Sequence, residues 1–330
     1  MGIGITLSRR ARGPGRYWRW GRSVAFALAG CLVAAILAAG CGGETGASGT
    51  DEGKTKATTS TTMITDLVRQ IGGNQVEVTG LMGPGVDPHL HQASQGDLAS
   101  LQGADVIFYN GLFLEGKMGD ILEKVSQQKP TVQVTESIPE EQLLAHPQYE
   151  GQFDPHVWFD VTLWKMTVDP VVEQLSELDP DGADYFEQNG ESYKRQLDEL
   201  NLYVEEQIST IPEEQRVLVT AHDAFNYFGR KYDMEVRGLQ GISTEAEAGA
   251  ADVQELADFL TERKIKAIFV ESSVPPRNLE AVQAACRDRG WDLEIGGQLY
   301  SDAGGDAGTE AETYIGMVRE NVDTMVEALA

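Results

Sequence analysis

The tripeptide Asp-Pro-His occurs twice, at Asp87-Pro88-His89 and Asp154-Pro155-His156, with the two histidines 67 positions apart. Aspartate is a good helix N-cap and proline fits the first helical position. The tripeptide is therefore expected to seat a histidine in the first turn of a helix, at the mouth of a cleft. The chain has five histidines in all, so two at the same place in the same tripeptide point to a paired site. The plainer alternative is two capped helix starts that histidine happens to follow. His222, in Ala221-His222-Asp223, and Asp302, in Tyr300-Ser301-Asp302-Ala303-Gly304-Gly305, each follow a strand-like run. Imidazole nitrogen and carboxylate oxygen are the ligands that zinc and its first-row neighbours take, and four of them close a tetrahedral site. None of the compact zinc signatures, His-Glu-x-x-His or paired Cys-x-x-Cys, occurs, so spacing alone leaves metal binding open.

The elements that must position these residues alternate between strand and helix. Strands are expected over residues 54–60, 75–82, 104–109 and 131–135. Helices are expected over 61–71, with Met63, Leu67, Val68 and Ile71 on one face, over 95–102, and from about Glu115. The run 161–178 reads as one helix, and 181–210 as a longer one with an apolar stripe at Phe186, Tyr193, Leu197, Leu200, Tyr203 or Val204, and Ile208. Thirty residues at ~1.5 Å each would span ~45 Å, which fits a spine joining two lobes better than a helix within one. Gly190 argues against an unbroken helix, and a packed helical hairpin is the alternative. A second alternation follows, with strands at 217–220, 234–237, 267–270 and 292–295 and helices opening at 221–225, then over 250–263, 277–289 and 313–329. Such alternation implies a mostly parallel sheet flanked by helices in each lobe, with ligands bound in loops at the carboxyl ends of strands. His222, Glu271 and Asp302 are expected in such loops.

Composition sets the boundaries. A chain of 330 residues with 41% apolar and 24% charged residues has room for two α/β domains. The formal net charge is −26; residues 1–40 carry six arginines and no acid, leaving 20 bases against 52 acids, a net −32, in the rest. So acidic a body argues strongly against nucleic acid or an anionic lipid face as the main partner. Residues 1–40 read as a lipoprotein signal, with a basic region, the apolar run Val24 to Ala39, and a small-residue approach to cysteine. Cys41 is preferred as the lipidated residue, because a polar Gly/Ser/Thr tether (41–53) follows it; Cys31 is the alternative, and an uncleaved anchor the bland one. Cys286 then has no partner, so no disulfide framework is expected. The remaining body divides into a first lobe (54–178), a linking helix (179–212) and a second lobe (213–330).

Over nearly all of 54–330 the chain resembles the zinc and manganese solute-binding lipoproteins, the extracytoplasmic receptors of metal-importing ABC transporters. The resemblance rests on Asp87-Pro88-His89, Asn110-Gly111-Leu112 with Leu114-Glu115, the stretches 154–160 and 220–228, Gly238-Leu239-Gln240-Gly241, Phe269-Val270-Glu271, and 299–305. It implies two α/β lobes joined by a long rigid helix, with the ion held between them by His89, His156, His222 and Asp302. It also implies Zn2+ or Mn2+ as the transported ligand, an ABC permease as partner, and no catalysed reaction.

Two departures stand out. His91 occupies a place where such proteins often have tyrosine, and reads as spare ligand, gate or surface residue. The loop before the second Asp-Pro-His holds only His146, so a dedicated zinc-collecting loop is absent or vestigial. Glu271 reads as a ligand, as support for a ligand histidine, or as a cap, the last two preferred; Asp87 and Asp154 read as caps, Asp223 and Asp160 as support or surface acids, and Trp158 and Phe159 as packing. Two rival functions are a zinc hydrolase using three of these ligands, an open fourth position and Glu271 or Asp223 as base, and a metal-stabilised adhesin lipoprotein.

Overall fold

The computed structural model describes residues 53–147 and 149–330; the signal segment, both candidate lipidated cysteines and most of the tether lie outside the described residues. The first lobe is a four-stranded parallel sheet in the order β2-β1-β3-β4, made of β1 (Thr55–Thr59), β2 (Val76–Gly80), β3 (Val106–Tyr109) and β4 (Thr131–Gln133). Its helices are α1 (Thr62–Gly72), α2 (Gln95–Gly103) and α3 (Gly119–Ser126). The expected face of α1 is buried through Met63, Leu67, Val68 and Ile71, and Thr61 caps it.

The run 161–178 is two helices rather than one, α4 (Val161–Met166) and α5 (Val168–Leu178). Pro170 is the reason. It lacks the N–H that a continuous helix would donate to Met166, but three residues into a new helix that N–H is not needed. Thr167 makes the joint, its hydroxyl donating to the Trp164 carbonyl at 2.7 Å.

The long helix α6 (Ala183–Ser209) runs unbroken for 27 residues. Gly190 does not interrupt it, because that glycine serves the packing against α5: a Cβ there would lie 2.6 Å from Cγ2 of Val172. The buried stripe is Phe186, Gly190, Tyr193, Leu197, Leu200, Val204 and Ile208, so Val204 rather than Tyr203 faces inward. One apolar core joins first-lobe residues such as Leu67 and Trp164 through this stripe to Phe225, Phe269 and Met325 of the second lobe. The helix is therefore packed on both sides and acts as a stiff joint.

In the second lobe β5 (Val217–His222) pairs in parallel with β6 (Glu235–Gln240), and β7 (Ala267–Glu271) with β8 (Glu294–Leu299), with β5 lying beside β7. Helices α7 (Asn226–Tyr232), α8 (Ala250–Arg263), α9 (Arg277–Asp288) and α10 (Tyr314–Leu329) complete it. A separate core of Val219, Leu260, Ile268, Leu279 and their neighbours belongs to this lobe, and the buried Cys286 is part of it. Among the described residues no helix is long and apolar enough to cross a membrane.

Candidate metal centre

His89, His156, His222 and Asp302 are separated by up to 213 positions, yet their ligand atoms all lie within 4.8 Å of one another, and all four side chains are buried. Nε2 of His89 is 3.3 Å from Nε2 of His156. Asp302 lies between the histidines, its Oδ1 3.4 Å from His156 Nε2 and its Oδ2 3.2 Å from His222 Nε2 and 3.9 Å from His89 Nε2. A tetrahedral ion with bonds of about 2.0–2.1 Å sets its ligand atoms about 3.3 Å apart. Much of this frame already has that edge length.

The elements hold each residue differently from expectation. Neither Asp-Pro-His opens an α-helix. Asp87 Oδ1 accepts the backbone N–H of His89 at 2.8 Å, and Asp154 Oδ1 that of His156 at 3.0 Å, so each aspartate folds its tripeptide into a tight side-chain turn instead of capping a helix. After the second turn only a short 3-10 turn, Val157–Phe159, follows, and the cap of α4 is Asp160, which accepts from Thr162 and Leu163. Asp154 does more than turn the chain, since the same Oδ1 accepts Nδ1–H of His156 at 2.7 Å. That bond fixes the tautomer and leaves Nε2 facing the cluster.

His222 and Glu271 are not loop residues either: they end the adjacent strands β5 and β7. The side chain of Glu271 accepts Nδ1–H of His222 at 2.6 Å through one oxygen and the backbone N–H of His222 at 2.9 Å through the other. Glu271 thus orients the ring of a candidate ligand. Gly238 lets β6 close against this point, where a Cβ would meet the backbone of His222 and Asp223 at 2.5 Å; its N–H donates to Asp223 Oδ1 at 2.6 Å. Asp302 follows β8 by three residues. Its loop is pinned by the Trp158 indole on the Ser301 carbonyl at 3.0 Å and by Gly304 N–H on the Thr62 hydroxyl at 2.7 Å, both from the first lobe.

His91 stays outside the cluster, 3.3 Å from Asp97. His146 lies against Tyr149, ring centroids 4.8 Å apart and tilted by 48°, and, with His89, borders a hollow of about 300 Å3. The roles missed in the sequence are those of Asp154 and of Ser301. The doubled Asp-Pro-His carried a signal for the first, whereas nothing local marks the second.

Electrostatics split the three imidazoles. Burial pushes His89 down to about 3, against the pull of Asp302. Burial also opposes charge on His156, but Asp154 and Asp302 override it and raise it to about 9. His222 is likewise buried yet lifted well above its ordinary value by Glu271 and Asp302. Burial would raise Asp302, but the charges on His222 and His156 hold it well below the usual carboxylate range. Even so, both Asp302 oxygens and His222 Nε2 are buried without a hydrogen-bond partner. Three orphaned donor atoms at one point form a centre that could hold a metal ion.

The chain is similar to known metal-binding proteins. Manganese-binding lipoprotein MntA of Bacillus subtilis is 48% identical over 303 residues, which cover 92% of this chain and 98% of that protein. Zinc-binding protein TroA of Treponema pallidum is 51% identical over 279 residues, 84% of this chain and 90% of that protein. The solved structure of the periplasmic zinc-binding protein TroA superposes with a TM-score of 0.82 over 84% of this chain and all of that one. The family described as zinc-uptake complex component A periplasmic (ZnuA) matches residues 58–328. The match takes in the long helix and all four candidate ligands, and the chain belongs to the ZnuA family.

Proposed function

We propose that the chain is an extracytoplasmic receptor that binds one divalent transition-metal ion, zinc or manganese, and delivers it to an ABC-type import permease. The ion is held by Nε2 of His89, His156 and His222 and by the carboxylate of Asp302. The observation that carries this reading is the set of orphaned buried atoms, Asp302 Oδ1, Asp302 Oδ2 and His222 Nε2. Asp302 faces His156 and His222 at ion-pair distances of 3.4 and 3.2 Å but makes no hydrogen bond; buried polar atoms left without one are costly, and a cation bonded to all of them removes the cost at once. Relatives named for manganese and for zinc support both as cargo. Three imidazoles and a carboxylate suit zinc, which outbinds manganese at an unconstrained site, so manganese is carried where zinc is scarce.

The lobes divide at about 54–178, 179–212 and 213–330, with His89 and His156 on the first and His222 and Asp302 on the last. Cys41, alternatively Cys31, carries the lipid, and the polar tether lets the receptor reach the permease. A hydrolase would need an open coordination position and a free base. Four protein ligands close the tetrahedron, and Glu271 is already bonded to His222. The test is dialysis of metal-free chain against chelator-buffered zinc or manganese, followed by elemental analysis: one ion per chain is expected, and none retained would overturn the reading.

A further inference from the structure

The segment from Gly241 to Gly249 connects β6 to α8 in the second lobe and touches the first lobe through two consecutive residues. Buried Thr244 donates its hydroxyl to Asp87 Oδ2 at 2.6 Å. Glu245 pairs with Lys117 at 2.5 Å, both side chains being substantially exposed. Asp87 thus carries two loads, because its other oxygen accepts the backbone N–H of His89 at 2.8 Å. The segment is anchored on its own side by the buried Ile242 and by the Gln240 amide on the Ala246 carbonyl at 3.1 Å. The hollow bordered by His89 is also bordered by Lys117, Ile242 and Glu245, so a path from the cluster to solvent past His89 passes this bridge.

We propose that Thr244 is a positioning residue for His89. Its hydroxyl clasps Asp87 across the cleft, Asp87 holds the turn that carries His89, and metal leaves the site when this clasp opens. The Lys117–Glu245 pair is the weaker outer half. A hydrogen bond to a partly buried carboxylate is stronger than a neutral one, and removing the donor leaves an unsatisfied anionic oxygen. An exposed ion pair is screened by water and salt and contributes little. The proposal rests on the metal-centre reading given above.

The test is the rate at which full chain loaded with zinc releases it to excess chelator in a stopped-flow experiment. Thr244→Val keeps the volume and deletes the hydroxyl; release is expected about ten- to a hundredfold faster. Thr244→Ser restores a hydroxyl and is expected within about threefold of the parent, as is Glu245→Gln. A valine variant that releases at the parent rate, or a serine variant as fast as valine, overturns the clasp. So does metal-free Thr244→Val chain whose melting temperature has fallen as far as that of its loaded form, since the hydroxyl is then a stability element only. If the parent chain itself retains no zinc, the metal-centre reading fails, and the clasp fails with it.

Discussion

Glu271 holds His222 twice, accepting its ring Nδ1–H at 2.6 Å and its backbone N–H at 2.9 Å, one bond to each carboxylate oxygen. The two residues end β5 and β7, which lie side by side, so the strand packing sets the distance and the carboxylate sets the ring. With Nδ1 committed, Nε2 is the atom left to bind metal. Substituting Glu271→Gln keeps the shape and removes the charge. Zinc affinity measured by chelator competition is expected to fall about ten- to a hundredfold, with stoichiometry unchanged at one ion per chain. Parental affinity in this variant would reduce Glu271 to a packing residue.

His91 and His156 separate a neighbour from a candidate ligand. His91 pairs with Asp97 outside the cluster, so His91→Ala is expected to change zinc affinity by less than about threefold, the scale of an exposed pair. His156→Ala removes a buried candidate ligand and its bond to Asp154 together and is expected to abolish tight binding. Equal losses in calorimetric titration would make His91 a ligand.

The charges in the metal-free centre set its pH dependence. A free imidazole would release its proton near 6.5, but His156 is raised to about 9 and His222 well above its ordinary value, while His89, at about 3, is neutral. At pH 7 metal must therefore displace about two protons, and affinity is expected to keep rising with pH through 8 instead of levelling off above 6.5. Titration calorimetry in buffers of different ionisation enthalpy gives the proton count; no proton release at pH 7 would contradict the charged cluster. In the metal-free chain the two histidines contribute to stability in opposite senses. His156 has a folded value above its unfolded 6.5, so its contribution is fully present below 6.5 and is lost as pH rises through about 9. His89 has a folded value below 6.5, so its contribution is present above 6.5 and is lost as pH falls towards 3. The stabilisation that zinc adds, read as the difference in melting temperature with and without the ion, is expected to widen between pH 6.5 and 9.

Gly190 tests the joint between the lobes. Gly190→Ala gains about 1 kcal/mol of helix propensity but places a methyl group 2.6 Å from Val172, a stiff β-branched side chain on the packed face of α5. Overpacking of this kind costs about 1–3 kcal/mol, so a net fall of a few degrees in melting temperature is expected, with metal affinity unchanged. A rise in melting temperature would show that α5 can yield.

How much of this was legible in the sequence depends on the range of the interaction. The alternation of strands and helices, the face of α1 and the stripe of α6 are periodic signals, and they located every major element. Boundaries failed where one residue decides: Pro170 splits the helix at Thr167, and β5 runs on to His222 because its last backbone groups pair with β6. The four candidate ligands stood out by type and motif. The role of Asp154 did not, and Glu271 was left between support for a histidine and a cap, because a carboxylate before a turn or at a strand end has the same local pattern whether it caps a helix or orients an imidazole. Gly190 was misjudged for the same reason: helix propensity is local, and Val172 arrives from another helix.

The central claim is that His89, His156, His222 and Asp302 together hold one transition-metal ion. The most direct measurement is elemental analysis of the parent chain and of Asp302→Ala after equilibration with zinc buffered by a chelator and exhaustive dialysis. The account expects one zinc per parent chain and essentially none in the variant, because Asp302 supplies two of the three orphaned atoms at the centre. Equal zinc in both chains, spread over the acidic surface, would contradict it.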